Sequence, residues 1–259
     1  MGVQPLNGFF NWLVEAGYLA GNPLALAKRP RAKRKPRVTR FLPHEHWGAV
    51  KDAIRAMDAS TPALEAMAAR ARWIFSLLYL GGLRTSEICD GSMGDFLWRR
   101  SPDGTVRWWL EVTGKGQQTR LVPATTELMD EAKRYRLSLC LKPLPGEHED
   151  FPLVAPLRGD KRLHISRSSL HAIVKDVMKA AAALVRQQGP EFEEAAQHIE
   201  QASTHWMRHT AASHQTDKAD VKYVRDNLGH ASIATTNIYT HTEDDMRHDV
   251  MTATHKIGW

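Results

Sequence analysis

The segment from Thr204 to His241 concentrates side chains that can handle a phosphate group. His205 and Arg208 stand three positions apart, and Tyr239 comes nine residues after His230. An arginine can bind two oxygens of one phosphate, and histidines can donate hydrogen bonds to the other oxygens. A tyrosine hydroxyl becomes a nucleophile when a neighbouring group takes its proton. These residue types at this spacing favour phosphoryl transfer with tyrosine as the attacking group.

Two upstream segments add groups of the same kind. Arg84 follows a Gly-Gly-Leu run and has Glu87 three positions after it. Lys115 lies between two glycines in a run, residues 113–123, that predicts a β-hairpin with the lysine at its tip. Each piece alone has an ordinary explanation, such as a surface arginine at a helix start or a lysine that keeps a turn soluble. The order of the separate pieces is what indicates a functional site.

This ordered set resembles the tyrosine recombinase family, which includes the phage integrases and the Xer-type resolvases. The resemblance extends over residues 40–250 and is most specific in the Gly-His-Ala-Ser-Ile-Ala-Thr-Thr-Asn-Ile-Tyr run at 229–239. It implies the fold of the family's catalytic domain, which is mainly α with a small antiparallel β-hairpin sheet (α+β). The catalytic residues that it implies are Arg84, Glu87, Lys115, His205, Arg208, His230 and Tyr239.

The resemblance also implies a reaction. Tyr239 would attack a DNA phosphodiester, which gives a 3′-phosphotyrosyl link and a free 5′-hydroxyl, and His230 would add a hydrogen bond to the phosphate. Because the tyrosyl ester keeps the bond energy, no ATP, metal ion or other cofactor is expected. The expected partner is double-stranded DNA, with a homotetramer on two duplexes by analogy with the family and no membrane or small-molecule substrate.

The other residues of the set have distinct expected roles. A phosphodiester is protected by its negative charge, so Arg84 and Arg208 are expected to bracket its two nonbridging oxygens. Lys115 is expected to protonate the departing 5′-oxygen as a general acid. Glu87 is expected to orient His205 rather than to bind phosphate. The residue that accepts the tyrosine proton is left open.

Two other classes of function remain open from the residues alone. A metal-dependent enzyme could use His205, His209 and His214, which recur at nearly helical spacing. Residues 205–214, however, contain neither a His-Glu-x-x-His motif nor an acidic residue. A catalytically impaired relative of the recombinases would still bind DNA without cutting it.

A basic linker is predicted at residues 28–40, which hold two prolines and no acid. The net charge of the 259-residue chain, +6, also favours a polyanionic partner. Cations in an extended linker would bind the DNA backbone without regard to sequence, and the alternative is a solvated tether. The expected backbone-binding residues are Lys28, Arg29, Arg31, Lys33, Arg34, Lys35, Arg37 and Arg40.

Three regions are therefore predicted. Residues 1–27 contain one amphipathic helix that resembles the last helix of the family's core-binding domain, with the earlier helices missing. Residues 28–40 are the linker, and residues 41–259 are the catalytic domain. Cys89 and Cys140 offer neither a C-x-x-C pair nor a disulfide framework, so both are expected to be packing residues in a reducing cytoplasm. No apolar run reaches the length of a membrane span.

Hydrophobic periodicity predicts the elements that position these residues. The predicted helices are Pro43–Met57, Pro62–Leu80, Thr125–Leu139 and Ser166–Gln187, and the predicted strands are Val106–Val112 and Thr119–Val122. Arg84 is expected at the start of a short helix, where the helix dipole also favours an anion. The acidic stretch Glu191–Gln201 is expected to be a surface helix that faces away from DNA, because phosphates would repel it.

Overall fold

The structure is a computed structural model that describes residues 3–25, 40–114, 118–228 and 241–259. The chain divides into two units, residues 1–39 and residues 40–259. The first unit contains helix α1, Val3–Glu15, whose Phe9 and Trp12 rings stack with centroids 6.4 Å apart. The predicted helix is confirmed but ends before Gly17, where a φ of +78° reverses the chain.

The second unit is mostly helical. Its helices are α2 (His44–Arg55), α3 (Pro62–Tyr79), α4 (Thr85–Asp90), α5 (Thr126–Ser138), α6 (Arg167–Arg186), α7 (Glu193–Gln201), α8 (Thr204–Thr216), α9 (Val221–Leu228) and α10 (His241–Thr254). The four long predicted helices are confirmed as α2, α3, α5 and α6. Side-chain oxygens of Thr61, Thr125 and Ser166 cap the amide groups at the starts of three of them, which is why the boundaries follow the sequence closely.

A three-stranded antiparallel sheet follows α4. Its strands are β1 (Phe96–Arg100), β2 (Val106–Thr113) and β3 (Thr119–Ala124), in the order β1-β2-β3. The two predicted strands are confirmed as β2 and β3, and the pairing of Thr113 with Thr119 closes the hairpin on which Lys115 was expected. Lys115 itself lies outside the described residues. Trp109 is fully buried and Trp108 is half-buried, so the two indoles take opposite sides of β2, as the alternation of a strand requires.

The core of the second unit forms around the C-terminal half of α3, which packs against α5, α6 and α8. Trp73, Phe75 and Leu78 of this half are buried, whereas Met67 in its first half is 45% exposed. The Trp47 ring of α2 stacks on Tyr79 at 4.6 Å and closes the core at the end of α3. The packing of α3 therefore fixes the position at which the Gly81–Gly82 turn begins.

The two cysteines have different surroundings. Cys89 is buried in α4, as expected, but the expectation that Cys140 is a packing residue is wrong. Cys140 follows α5 with a φ of +60°, and this left-handed turn leaves its side chain exposed while Leu139 is buried. No helix within the described ranges is both long enough and apolar enough to cross a membrane.

Helix α7 occupies most of the predicted acidic stretch. It packs on α6, buries Ala196 and Ile199, and is exposed on its other side, so a surface helix is confirmed. Two of its three acids are bound by one arginine of α6, since Arg186 lies 3.0 Å from Glu193 and 2.7 Å from Glu200. Whether α7 faces away from DNA remains a prediction.

Candidate functional site

The Gly81–Gly82 turn brings the end of α3 against α9. Gly82 has a φ of +57°, and a Cβ atom at this position would lie only 2.6 Å from Cδ2 of Leu228. Only glycine meets both requirements without strain. The turn leaves Arg84 as the N-cap of α4, as predicted, with its backbone N–H donating to Oε2 of Glu87 at 2.8 Å. The spacing of three residues between Arg84 and Glu87 is thus the geometry of a helix start.

The Glu87 carboxylate is surrounded by guanidinium groups. Nη1 of Arg84 lies 2.6 Å from Oε1, and Arg120 binds both carboxylate oxygens at 2.8 and 2.9 Å. Nη1 of Arg208 lies 4.0 Å from Oε2. Burial alone would raise the pKa of Glu87, but the hydrogen bonds and charges of Arg120 and Arg84 outweigh it and hold that pKa at about 2. Glu87 therefore stays ionised at neutral pH.

The expectation that Glu87 orients His205 is wrong for this structure. Both oxygens of Glu87 are bound by arginines. Hydrogen bonds between a guanidinium and a carboxylate are stronger than those between neutral groups. The His205 side chain is exposed, and its Nε2 atom lies 2.9 Å from Nε2 of His209, one turn further along α8. His205 is thus held by a histidine and not by the carboxylate.

Arg120 is a site residue that the motif did not contain. It lies on β3, and besides its two bonds to Glu87 it donates from Nε to the backbone oxygen of Asn227 at 2.9 Å. A single side chain therefore joins β3, α4 and the end of α9. Its one sequence signal is that it lies two positions before the buried Val122, on the same side of the strand. That signal indicates a partly buried arginine but not its partners.

Arg208 is buried in α8 and fixed by the backbone. Its Nη1 and Nη2 groups donate to the carbonyl oxygens of Gly82 and Leu228. Burial lowers the pKa of Arg208 to about 10, with contributions from the charges of Arg84 and Arg120, so the guanidinium remains protonated at neutral pH. The side chain thereby ties the Gly81–Gly82 turn to the last residue of α9.

A cleft of about 430 Å³ opens beside these residues. Its lining residues are Leu83, Arg84, Thr85, Ser86, Arg167, Thr204, His205, Arg208 and His209. Within the part of the chain that the structure describes, this lining contains hydroxyls, imidazoles and guanidiniums but no carboxylate. The hydroxyls of Thr85 and Thr204, 2.9 Å apart, link α4 to α8 at its wall. Such a lining is suited to an anion.

The structure thus brings together four of the seven predicted site residues: Arg84, Glu87, His205 and Arg208. The other three, Lys115, His230 and Tyr239, lie outside the described residues. Of the predicted linker contacts only Arg40 is described, and its guanidinium lies 5.8 Å from the centroid of the Trp206 ring.

The histidines proposed as metal ligands are separated. His205 and His209 pair at the surface, whereas His214 is buried, with Nδ1 3.0 Å from the Tyr79 hydroxyl and its ring stacked on His44 at 3.7 Å. Among the residues that the structure describes, no group of three or more His, Cys, Asp or Glu side chains could hold a metal ion. The geometry therefore gives no support to the metal-dependent alternative.

Comparison with known proteins agrees with this site. Residues 49–246 match the family model of the phage integrase family. The chain is 30% identical over 235 residues to tyrosine recombinase XerC of Neisseria meningitidis serogroup C, in an alignment that covers 90% of this chain and 65% of XerC. The chain belongs to the phage integrase family of tyrosine recombinases.

Solved structures with the same fold include two recombinases. The XerH site-specific recombinase, in a post-cleavage complex with its palindromic difH substrate, has a TM-score of 0.53 and 20% identity, covering 82% of this chain and 52% of XerH. The integrase from mycobacterium phage Brujita has a TM-score of 0.51 and 19% identity, covering 98% of this chain and 70% of that integrase. Both likenesses establish the catalytic-domain fold, mainly α with a small antiparallel sheet.

Proposed function

We propose that this chain is a site-specific DNA recombinase or integrase that cleaves and rejoins DNA strands through a 3′-phosphotyrosyl intermediate. The observation that carries the proposal is the cleft in which Arg84 and Arg208 lie within 4.0 Å of one buried carboxylate, with His205 in the same lining. Membership of the phage integrase family supports it, as does the identity to XerC over 90% of the chain.

The charge of the site suits a phosphodiester. The guanidiniums of Arg84, Arg120 and Arg208 and the carboxylate of Glu87 leave two formal positive charges. A phosphodiester carries one negative charge, and a second develops on its oxygens as a nucleophile adds to phosphorus. Fixed positive charge placed before the reaction stabilises that transition state more than the ground state. The site would therefore speed attack at phosphorus.

The mechanism assigns one role to each remaining residue. The hydroxyl of Tyr239 gives its proton to a neighbouring base, its oxygen forms a bond to phosphorus, and the bond from phosphorus to the 5′-oxygen breaks, while Lys115 gives a proton to that departing oxygen. His205 and His230 donate hydrogen bonds to the phosphate. In the second step the 5′-hydroxyl of a partner strand attacks the phosphotyrosyl ester and releases Tyr239, so no external energy source is consumed.

The proposed partner of the catalytic domain, residues 41–259, is double-stranded DNA. The XerH relative in fold is described as a complex with its difH substrate, which supports a similar ligand for this chain. The basic linker would add contacts to the DNA backbone. By analogy with the family, four copies would act on two duplexes. A cytoplasmic location is proposed from the cysteine usage.

The proposal is tested with a pool of nicked duplexes whose central base pairs are randomised. A nick near the cleavage point lets the short strand diffuse away, so covalent complexes accumulate and resist denaturant. Sequencing the captured DNA gives the substrate for all further assays. Arg84→Ala and Arg208→Lys are expected to form the complex about 10²-fold to 10³-fold more slowly, as expected when a preorganised donor is lost.

The matched control is Arg134→Ala, which removes an arginine that is 62% exposed on α5 and outside the cleft. Its rate should equal that of the unchanged chain. Complex formation by Arg84→Ala at the rate of this control would contradict the proposed site.

A further inference from the structure

Helix α10 is joined to the sheet by a paired contact between Arg107 and two aspartates. Asp245 and Asp249 are four residues apart, so both lie on the same side of the helix. Arg107 of β2 binds Asp249 through two bonds, Nε to Oδ1 at 2.9 Å and Nη2 to Oδ2 at 2.8 Å. Its Nη1 lies 3.7 Å from Oδ2 of Asp245. We call this set of contacts the α10 clamp.

The sheet residue of the α10 clamp is buried, and the helix residue that it binds most closely is exposed. The Arg107 side chain is 7% exposed, whereas that of Asp249 is 59% exposed. Its hydrogen bond to Asp249 is the main reason that the pKa of Arg107 is raised, and the same bond lowers the pKa of Asp249. Both groups therefore stay charged across the working pH range, and the planar fork of the guanidinium fixes the orientation of the helix.

Neighbouring contacts reinforce the position of α10. Arg247 binds Asp244 at 2.9 Å and lies 5.3 Å from the centroid of the buried Trp109 ring. His248 meets the edge of the same ring at 5.3 Å. Arg99 of β1 lies 3.8 Å from Asp244. Arg99 of β1 and Arg107 of β2 thus neutralise three aspartates of α10, which would otherwise repel DNA phosphates.

The position of α10 matters because of what precedes it in the chain. The helix begins at His241, two residues after Tyr239. Two residues of chain span at most about 7 Å, so whatever fixes His241 limits the positions that Tyr239 can reach. Strand β2, which holds the clamp, also leads directly into the hairpin that carries Lys115. The clamp therefore joins α10, which follows Tyr239 in the chain, to the strand that precedes Lys115.

We infer that Arg107 is a positioning residue for Tyr239: by holding α10 on β2 it fixes the chain end from which the nucleophile extends. The inference rests on the proposed function, since it assigns how that site places its tyrosine. The inference predicts different effects on DNA binding and on the covalent step. Loss of the clamp should leave the phosphate-binding cleft intact and should slow only the attack by Tyr239.

The test compares Arg107→Met with a matched variant, Arg72→Met. Arg72 makes an equivalent two-bond fork to Glu131, at 2.6 and 2.8 Å, but this fork joins α3 to α5, and the further ring contact of Arg72 is with Trp259, 4.6 Å away and beyond the end of α10. The captured duplex is the probe. For each variant the melting temperature, the Kd for the duplex and the single-turnover rate of covalent complex formation at saturating protein are measured. Asp249→Asn, which changes an exposed side chain, serves as a second variant if Arg107→Met folds poorly.

Arg107→Met is expected to bind the duplex within twofold of the unchanged chain and to form the covalent complex at least 10-fold more slowly. Arg72→Met should lose melting temperature but keep its rate. Asp249→Asn should be slowed in the same direction as Arg107→Met. Equal rates for the Arg107, Asp249 and Arg72 variants would overturn the inference.

Failure of the inference and failure of the proposed function are separated by Tyr239→Phe. If Tyr239→Phe forms no complex and Arg107→Met forms it at the normal rate, the function stands and the positioning role is wrong. If Tyr239→Phe forms the complex as well as the unchanged chain, the proposed nucleophile itself is wrong.

Discussion

Glu87 is the carboxylate around which the arginines of the candidate site are arranged. Its carboxylate is nearly buried and contacts three guanidiniums, so removing any one of them changes the field at the other two. The motif named Arg84 and Glu87 as site residues, and the structure adds that the two are in contact at the start of α4. It did not predict Arg120, because that residue lies 33 positions from Glu87 and only the folded sheet brings the two together. The role of Glu87 as a partner of arginines follows from those contacts.

Arg120→Lys is expected to slow covalent complex formation by about 10-fold to 10²-fold, since small misplacements of site residues have effects of this size. A lysine keeps the positive charge but cannot bind both oxygens of Glu87 and the Asn227 carbonyl at once. Single-turnover rates on the captured duplex provide the measurement. The control is Arg134→Lys, which alters an exposed arginine of α5. If the two variants react at the same rate, Arg120 has no part in positioning the site.

Among the helices and strands, the sequence predicts those that depend on residues within their own segment. Helices α2, α3, α5 and α6 follow from apolar periodicity and from capping residues within each segment, and β2 and β3 follow from alternation. Strand β1 escapes prediction because Phe-Leu-Trp-Arg-Arg ends in two charged residues and only its first residue is buried. Its position depends on pairing with β2, for which a single segment carries no signal.

The cleft could be predicted only in part for the same reason. The motif residues predict the proposed functional groups of the cleft, and the two consecutive glycines predict the turn at Gly81–Gly82. The bonds from Arg208 to the carbonyl oxygens of Gly82 and Leu228 depend on how α8 packs between α3 and α9. The pairing of His205 with His209 required the structure as well, although the two are one helical turn apart.

The basic linker gives a prediction at this scale. Replacing the seven lysines and arginines between residues 28 and 37 with glutamine should weaken binding to all duplexes alike. The slope of log K against log salt should fall by about 0.9 for each phosphate that the linker no longer neutralises. Titrations at several salt concentrations give the slope. Lys133→Gln with Arg134→Gln, two exposed changes on α5, controls for the loss of positive charge outside the linker. A slope equal to that of the control would make the linker a tether.

At the scale of the whole molecule, the distribution of charge agrees with a polyanionic partner. The chain has 35 basic and 29 acidic residues, and several of the acids are bound by arginines away from the cleft: Glu131 by Arg72, Glu149 by Arg136, Glu193 by Arg186 and Asp249 by Arg107. Acids neutralised in this way oppose a phosphate backbone less than free acids would. Under the proposed function, the basic residues of the cleft and the linker contribute to the field that DNA would meet.

Tyr239 is expected to become covalently joined to DNA during the reaction. The most direct measurement is to trap the complex with the captured nicked duplex, digest the protein and identify the DNA-linked peptide by mass spectrometry. The expected result is a single adduct on Tyr239, attached through a 3′-phosphate, and no adduct from Tyr239→Phe. An adduct on another residue, attachment through a 5′-phosphate, or an undiminished yield from Tyr239→Phe would contradict the claim.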